Sequence, residues 1–368
     1  MKTRVQDALL VLSAGLSLTS AALLTGCEPG AKKSVQAGFR GVGMMQVTNP
    51  HRAADLTALN TPPEPLPKAD ISAGGPLAGD TLRNVQVLKD VPVAEFTRLM
   101  AAVTSWVAPQ QGCPYCHNPA DLSADDIYTK VVARRMFAMT RHINSDWHAH
   151  VAGTGVTCYT CHRGHNVPTE VWYTSPASGA PYAGNKAGQN SPSATVRLTS
   201  LPNDPFTTYL DTPPREIRVV SETALRQDSM GPSIQATEQT YGLMMHFTKA
   251  LGVNCTYCHN SRSFFDWDQS TPQRAVAWYG IRMVRDLNTR YLDPLGPTFP
   301  PARHGPAGDA PKLNCATCHQ GDFKPLNGAS MVGDYPELKG PISSESAAPA
   351  SSARELPAPP ASLAANSR

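Results

Sequence analysis

The stretch VTCYTCHRG, residues 156–164, places two cysteines three positions apart, with a histidine directly after the second. This C-x-x-C-H pattern occurs four times: Cys113, Cys116 and His117; Cys158, Cys161 and His162; Cys255, Cys258 and His259; Cys315, Cys318 and His319. Together the motifs use eight of the nine cysteines. Four disulfides would use the same residues, but a disulfide framework needs no histidine after every second cysteine. A structural zinc site takes four ligands from two paired motifs, and four Cys-Cys-His triplets do not pair in that way. The pattern is the attachment motif of c-type haem. The two thiols form thioethers at one porphyrin edge, and the adjacent histidine falls under the iron as an axial ligand. The sequence therefore predicts four covalently bound haem c groups. Their bulk also accounts for a chain of 368 residues with 34 prolines and only 41% apolar content, since each porphyrin supplies core that the side chains do not.

The ninth cysteine belongs to the N-terminus. Lys2 and Arg4 precede the apolar run 8–24, as in a secretory signal, and L24-T-G-C27 resembles a bacterial lipoprotein cleavage box. Residues 1–26 then form the signal peptide and Cys27 carries the lipid; an uncleaved membrane anchor is the alternative. Later segments are not apolar enough for a membrane helix. Either way the body lies outside the cytoplasm, held to a membrane. The formal net charge of +3, with no Lys/Arg run, gives no signal for nucleic acid.

The motifs alternate in kind. The first and third share C-x-Y-C-H-N, and the second and fourth share C-x-T-C-H-x-G. The order A-B-A-B reads as a duplicated two-haem unit. The expected fold is mainly α with long irregular segments, a multihaem c-type cytochrome with two pseudo-symmetric halves of helix–turn–CxxCH units. The halves lie at 93–165 and 232–323. An extended N-terminal segment (27–92), a Pro/Ser/Gly-rich connector (166–231) with short strands such as 216–221, a C-terminal segment (324–340) and a disordered Pro/Ala/Ser tail (341–368) complete the chain. A helical pattern precedes each motif. The helices start near Pro92, Ser123, Ser233 and Thr271-Pro272, as first-turn prolines and caps suggest.

The second axial position of each iron decides the function. An open position allows gas binding or substrate chemistry, whereas a side chain there leaves electron transfer. Each of the four helices carries methionine on its apolar stripe. Methionine there is usually packing, but the helix–motif unit recurs. Met100, Met136 and Met244 lie 17, 26 and 15 residues before their motif histidines. Met139 and Met245 are alternatives on less favoured faces, and symmetry alone selects Met283 for the fourth haem. A multihaem reductase or peroxidase, or a haem sensor, would need at least one open iron. A disulfide-stapled lipoprotein would hold no haem.

The sequence resembles the tetrahaem cytochrome subunit of purple-bacterial photosynthetic reaction centres. The resemblance runs from the lipoprotein box through FRGVGMMQ (39–46) to DYPEL (334–338). It includes VVARRM (131–136), VTCYTCHRG (156–164), GLMM (242–245), STPQRA (270–275) and GIRMVRD (280–286). It implies His/Met ligation for three haems, through Met100, Met136 and Met244. It implies bis-histidine ligation for the fourth, with His150 opposite His319. This displaces the symmetry choice of Met283, and selects His150 over the nearby His142, His148 and His165. It also places Arg274 near a haem, where a cation would favour the reduced iron. The implied role is electron transfer rather than enzymatic turnover. The haems would take electrons from a soluble c-type cytochrome or a high-potential iron–sulfur protein. They would pass them to the photo-oxidised bacteriochlorophyll pair of the reaction-centre core, on the periplasmic face of the membrane.

Overall fold

The computed structural model describes residues 32–39, 42–68, 74–175, 187–211, 215, 217 and 233–340. The signal peptide, Cys27 and the 341–368 tail lie outside these residues, as does most of the connector strand expected at 216–221.

The chain is mainly helical, with long irregular stretches. Its only described sheet is a two-stranded antiparallel hairpin, β1 (Lys33–Gln36) and β2 (Met45–Thr48). Helix α1 (Pro50–Leu59) follows. The Asn49 side chain accepts from the His51 amide, and Pro50 opens the first turn. This local signal was present in a segment expected to be extended. After a short turn, α2 (Ala78–Thr81), come α3 (Val93–Val107), α4 (Tyr128–Asp146), α5 (His148–Val151), α6 (Cys158–His162), α7 (Pro205–Tyr209), α8 (Ile234–Leu251), α9 (Pro272–Leu287) and α10 (Cys315–His319).

The four long helices, α3, α4, α8 and α9, occupy the positions expected from the periodicity. Ser233 caps α8 by accepting from the Ala236 amide, and Pro272 opens α9. Helix α4 begins later than its Ser123 signal. The Ser123 hydroxyl is held by Asp121, and the Lys130 ammonium donates to the carbonyls of Leu122 and Ala124, so residues 122–124 form a turn instead. Helix α9 runs into a π-helical turn at Asn288–Leu292.

Two apolar clusters hold these elements. One gathers Ile143, Phe206, Leu243, Ile281, Leu287 and Tyr291 between α4, α7, α8 and α9. The other joins Leu99, Ala102 and Trp106 of α3 to Val332, Tyr335 and Leu338 near the C-terminus. Arg98 ties this second cluster together. Its guanidinium donates to Glu95, to the carbonyls of Leu66, Pro67 and Asp334, and lies 4.3 Å from the Tyr335 ring centre. Among the described residues no helix is long and apolar enough to cross a membrane.

Candidate haem sites

The motif repeat in the sequence reappears as repeated geometry. Cys113–Tyr115 and Cys255–Tyr257 each form a single 3-10 turn, whereas the second and fourth motifs each form a five-residue helix, α6 and α10. Both helices open with a reciprocal capping box, Thr157 with Thr160 and Asn314 with Thr317. Both end in a left-handed residue, Arg163 and Gln320, at φ 47° and ψ 45°. A glycine follows each, Gly164 at φ 85° and Gly321 at φ 87°, a conformation that favours a residue without Cβ. The Gly164 amide donates to Trp106 of α3 and the Gly321 amide to Ala250 of α8, at 2.7 and 2.8 Å. Each B-type motif is thus docked on the first helix of its own half.

Each motif histidine is oriented in the same way. Nδ1 donates to a backbone carbonyl: His117 to Leu122 (3.0 Å), His259 to Phe264 (2.8 Å), His162 to His165 (2.9 Å) and His319 to Asp322 (2.8 Å). A carbonyl can only accept, so Nδ1 carries the proton and Nε2 keeps a lone pair in the neutral ring. A second-sphere carbonyl of this kind fixes the tautomer and rotation of a metal-binding imidazole. Burial lowers the pKa of His162, His259 and His319, the last to about 4 with a contribution from nearby His150, which keeps these rings neutral.

His150 completes a fifth such arrangement. It lies on α5, and its Nδ1 donates to the Val276 carbonyl of α9 at 2.9 Å. Its ring centre is 6.1 Å from that of His319. With metal–nitrogen bonds of about 2 Å and ring nitrogens about 1.2 Å from the ring centre, two imidazoles on one iron stand roughly 6 Å apart. The pair therefore fits an iron between two Nε2 atoms. The other three histidines lie elsewhere: His148 and His165 are exposed, and buried His142 is held by Asp146 and Asp286 at 2.8 and 2.7 Å.

The methionines divide by burial. Met100, Met136 and Met244 are only partly buried, at the rims of the two clusters, whereas Met139 and Met283 are buried inside one of them. Structural equivalence sharpens this. Met100 is six residues before Trp106 and Met244 is six before Ala250, the two carbonyls that receive the motif glycines, so these methionines correspond. Likewise Thr129 donates its hydroxyl to the Tyr115 carbonyl and Thr271 donates to Tyr257, which aligns α4 with α9 at an offset of 142 residues. Met136 then corresponds to Trp278. Met283 lies five residues further on, about 7.5 Å along the helix. Helix α9 has no methionine where α4 has one.

Arg274 stands beside the third motif. Its guanidinium donates to the Asp266 carbonyl and the Ser270 hydroxyl, at 2.7 and 2.6 Å, and lies 4.2 Å from the Trp267 ring centre. Burial first, and Arg274 second, lower the His259 pKa, so this charge is felt at the motif imidazole.

Six motif cysteines are free thiols: Cys113, Cys116, Cys158, Cys255, Cys258 and Cys315. Burial pushes Cys158, Cys258 and Cys315 up to about 12. Cys161 and Cys318 are joined to each other, with Cα atoms 4.4 Å apart. This corrects the expectation that no disulfide would form in this chain. The cause is proximity: α6 and α10 pack together, and Arg163 of the second motif donates to the Cys318 carbonyl at 3.0 Å. A sulfur in that bond has no valence for a vinyl carbon, so the bond and thioether attachment at these two residues are alternatives. Among the described residues no three His, Cys, Asp or Glu side chains converge as a metal site.

One residue escaped the sequence reading. His246 of α8 is buried, packs edge-on against Phe206 at 4.6 Å, and its Nε2 has no protein partner. Its place two residues after Met244 was the only available signal.

Repeated C-x-x-C-H turns with oriented imidazoles define a c-type cytochrome, whose cofactor is covalently bound haem c. More narrowly, the chain belongs to the photosynthetic reaction centre cytochrome c subunit family, which it matches over residues 28–339. It is 52% identical over 326 residues to the photosynthetic reaction center cytochrome c subunit of Rubrivivax gelatinosus, covering 88% of each chain. It is 51% identical over 321 residues to that of Thermochromatium tepidum (87% of this chain, 78% of the relative). It is 40% identical over 353 residues to that of Roseobacter denitrificans (90% and 92%). The family's work is electron transfer in photosynthesis.

Proposed function

We propose that the chain is a tetrahaem electron relay on the photosynthetic reaction centre, with every iron closed by two protein ligands. The haem supplies one-electron chemistry at iron. The chain's residues hold it: thioether sulfurs Cys113 and Cys116, Cys158 and Cys161, Cys255 and Cys258, Cys315 and Cys318; axial pairs His117 with Met100, His162 with Met136, His259 with Met244, and His319 with His150. Cys161 and Cys318 enter this scheme as thiols. The observation that carries the reading is the set of five imidazoles whose Nδ1 is anchored on a carbonyl, two of them facing across 6.1 Å. Closed irons cannot take a substrate, which favours a relay over an enzyme or sensor. Thioether ligation raises haem potential relative to a second imidazole, so three haems titrate high and one lower.

The two halves, 93–165 and 232–323, each hold two haems. The chain sits on the periplasmic face of the photosynthetic membrane, anchored through a lipid on Cys27 and bound to the reaction-centre core. It receives electrons from a soluble c-type cytochrome or a high-potential iron–sulfur protein and re-reduces the photo-oxidised bacteriochlorophyll pair. Haem propionates shift the formal charge of +3 toward acidic, which suits a basic donor.

The test is a carbon monoxide difference spectrum of the dithionite-reduced protein, with haem content from the same sample. Four haems c and no significant shift are expected. A shift on any native haem would show an open iron and remove one axial assignment, His150 first.

A further inference from the structure

The alignment of α4 with α9 leaves a question that Met283 does not answer: what makes the fourth site take an imidazole? The Val276 carbonyl that receives His150 Nδ1 is also the carbonyl that the Gly280 amide reaches in the α-helical ladder. Residues 276 and 280 are one turn apart on the same helix face, and a side chain at 280 would cover that carbonyl. Gly280 is buried and has no side chain. A Cβ built there would lie 2.6 Å from His150 Cε1, 2.9 Å from Nδ1 and 3.2 Å from Nε2. The ring cannot step aside cheaply. It is rigid, its Nδ1 is anchored, and its own amide donates to the Trp147 carbonyl at 2.8 Å. The imidazole therefore occupies the volume that a side chain at 280 would fill. The equivalent of the Met136 position, Trp278, is buried and packs edge-on against Tyr279 at 5.0 Å.

We propose that Gly280 is the specificity-determining residue of the fourth site: with the Val276 carbonyl it forms a cradle that admits an imidazole, and thereby selects His150 as sixth ligand where the equivalent helix α4 supplies a methionine. This rests on His150 being that ligand. Gly280 is a positioning residue, since it touches the ligand and not the iron.

The test is Gly280→Ala in the full-length, haem-loaded chain. Alanine is the better helix former, so the substitution favours α9 itself, and any loss comes from the cradle. The expected result is four haems, about one of which now binds carbon monoxide after reduction, with a moved midpoint for the lowest-potential haem and three midpoints unchanged. Four closed haems with unchanged midpoints would overturn the proposal. If the variant does not load haem, a second pair decides. His150→Gly should be closed to carbon monoxide by added imidazole, and His150→Gly with Gly280→Ala should not. Closure of both by imidazole would overturn the cradle. His150→Ala separates this from the reading beneath it. If that variant leaves every iron closed, the bis-histidine assignment itself fails.

Discussion

At His150 a single imidazole is chosen from four neighbours by what surrounds it. His142 has both ring nitrogens on carboxylates, His148 and His165 are exposed, and only His150 has a carbonyl behind it and another imidazole in front. Arg274 offers a second prediction at this scale. Its cation, partly buried beside the third motif, favours the iron state of lower positive charge. Arg274→Leu should lower the midpoint of one haem by tens of millivolts, where about 59 mV is a tenfold change in a one-electron equilibrium. A redox titration in which all four midpoints stay fixed would sink the tuning role. The motif residues were legible in the sequence because thioether attachment and proximal ligation need adjacent positions. His150 was not legible without the family resemblance. Its partner is 169 residues away, and the residue that makes room for it, Gly280, carries no chemistry of its own.

At the scale of elements, the helices were readable and their equivalences were not. Caps and first-turn prolines marked α3, α8 and α9, whereas α4 was blurred by side-chain bonds that hold 121–124 in a turn. The offset of 142 between α4 and α9 emerges only from the threonine-to-carbonyl bonds beneath the motifs. It separates two methionines that periodicity treats alike. Met136→Leu should open one iron to carbon monoxide. Met283→Leu should leave the spectrum unchanged and destabilise by less than about 1.5 kcal/mol, as a swap of similar volume inside the core. The same spectrum on the two variants checks both, and an open iron in the Met283 variant would restore the symmetry choice. The Asn314 cap of α10 is a smaller element. Asn314→Ala removes the acceptor for the Thr317 amide and should destabilise by about 1 kcal/mol in thermal or denaturant unfolding, with haem content retained.

Across the whole molecule, residues far apart in sequence share single anchors. Arg98 reaches from α3 to Leu66, Pro67 and Asp334, so the segment before the first half and the one after the second meet on one guanidinium. Removing it takes the close cation from buried Glu95 and strips three carbonyls. Arg98→Ala should destabilise by about 3–5 kcal/mol. Arg98→Lys should recover only part of this, because an ammonium cannot span the same fork of acceptors. Full recovery by lysine in denaturant unfolding would mean that charge alone matters there. The hairpin behaves similarly at the third motif: Asn254 accepts from Val47 and donates to Met45, while Gln46 exchanges bonds with Gly252 and Asn254.

The nearness of Cys161 to Cys318 bears on how such a chain matures. Export delivers it to a compartment where neighbouring thiols lose two electrons and two protons to a disulfide-bearing oxidant. Once α6 and α10 have docked, the two sulfurs are in reach of each other, and the cross-link competes with cofactor attachment at two motifs together. Assembly is thus ordered in time: attachment precedes docking, or a reductant must reopen the pair. A chain exported under haem starvation should accumulate in the cross-linked form, seen by mass spectrometry of a non-reducing digest as peptides joined through 161 and 318. Free thiols at both positions would show instead that docking waits for the cofactor.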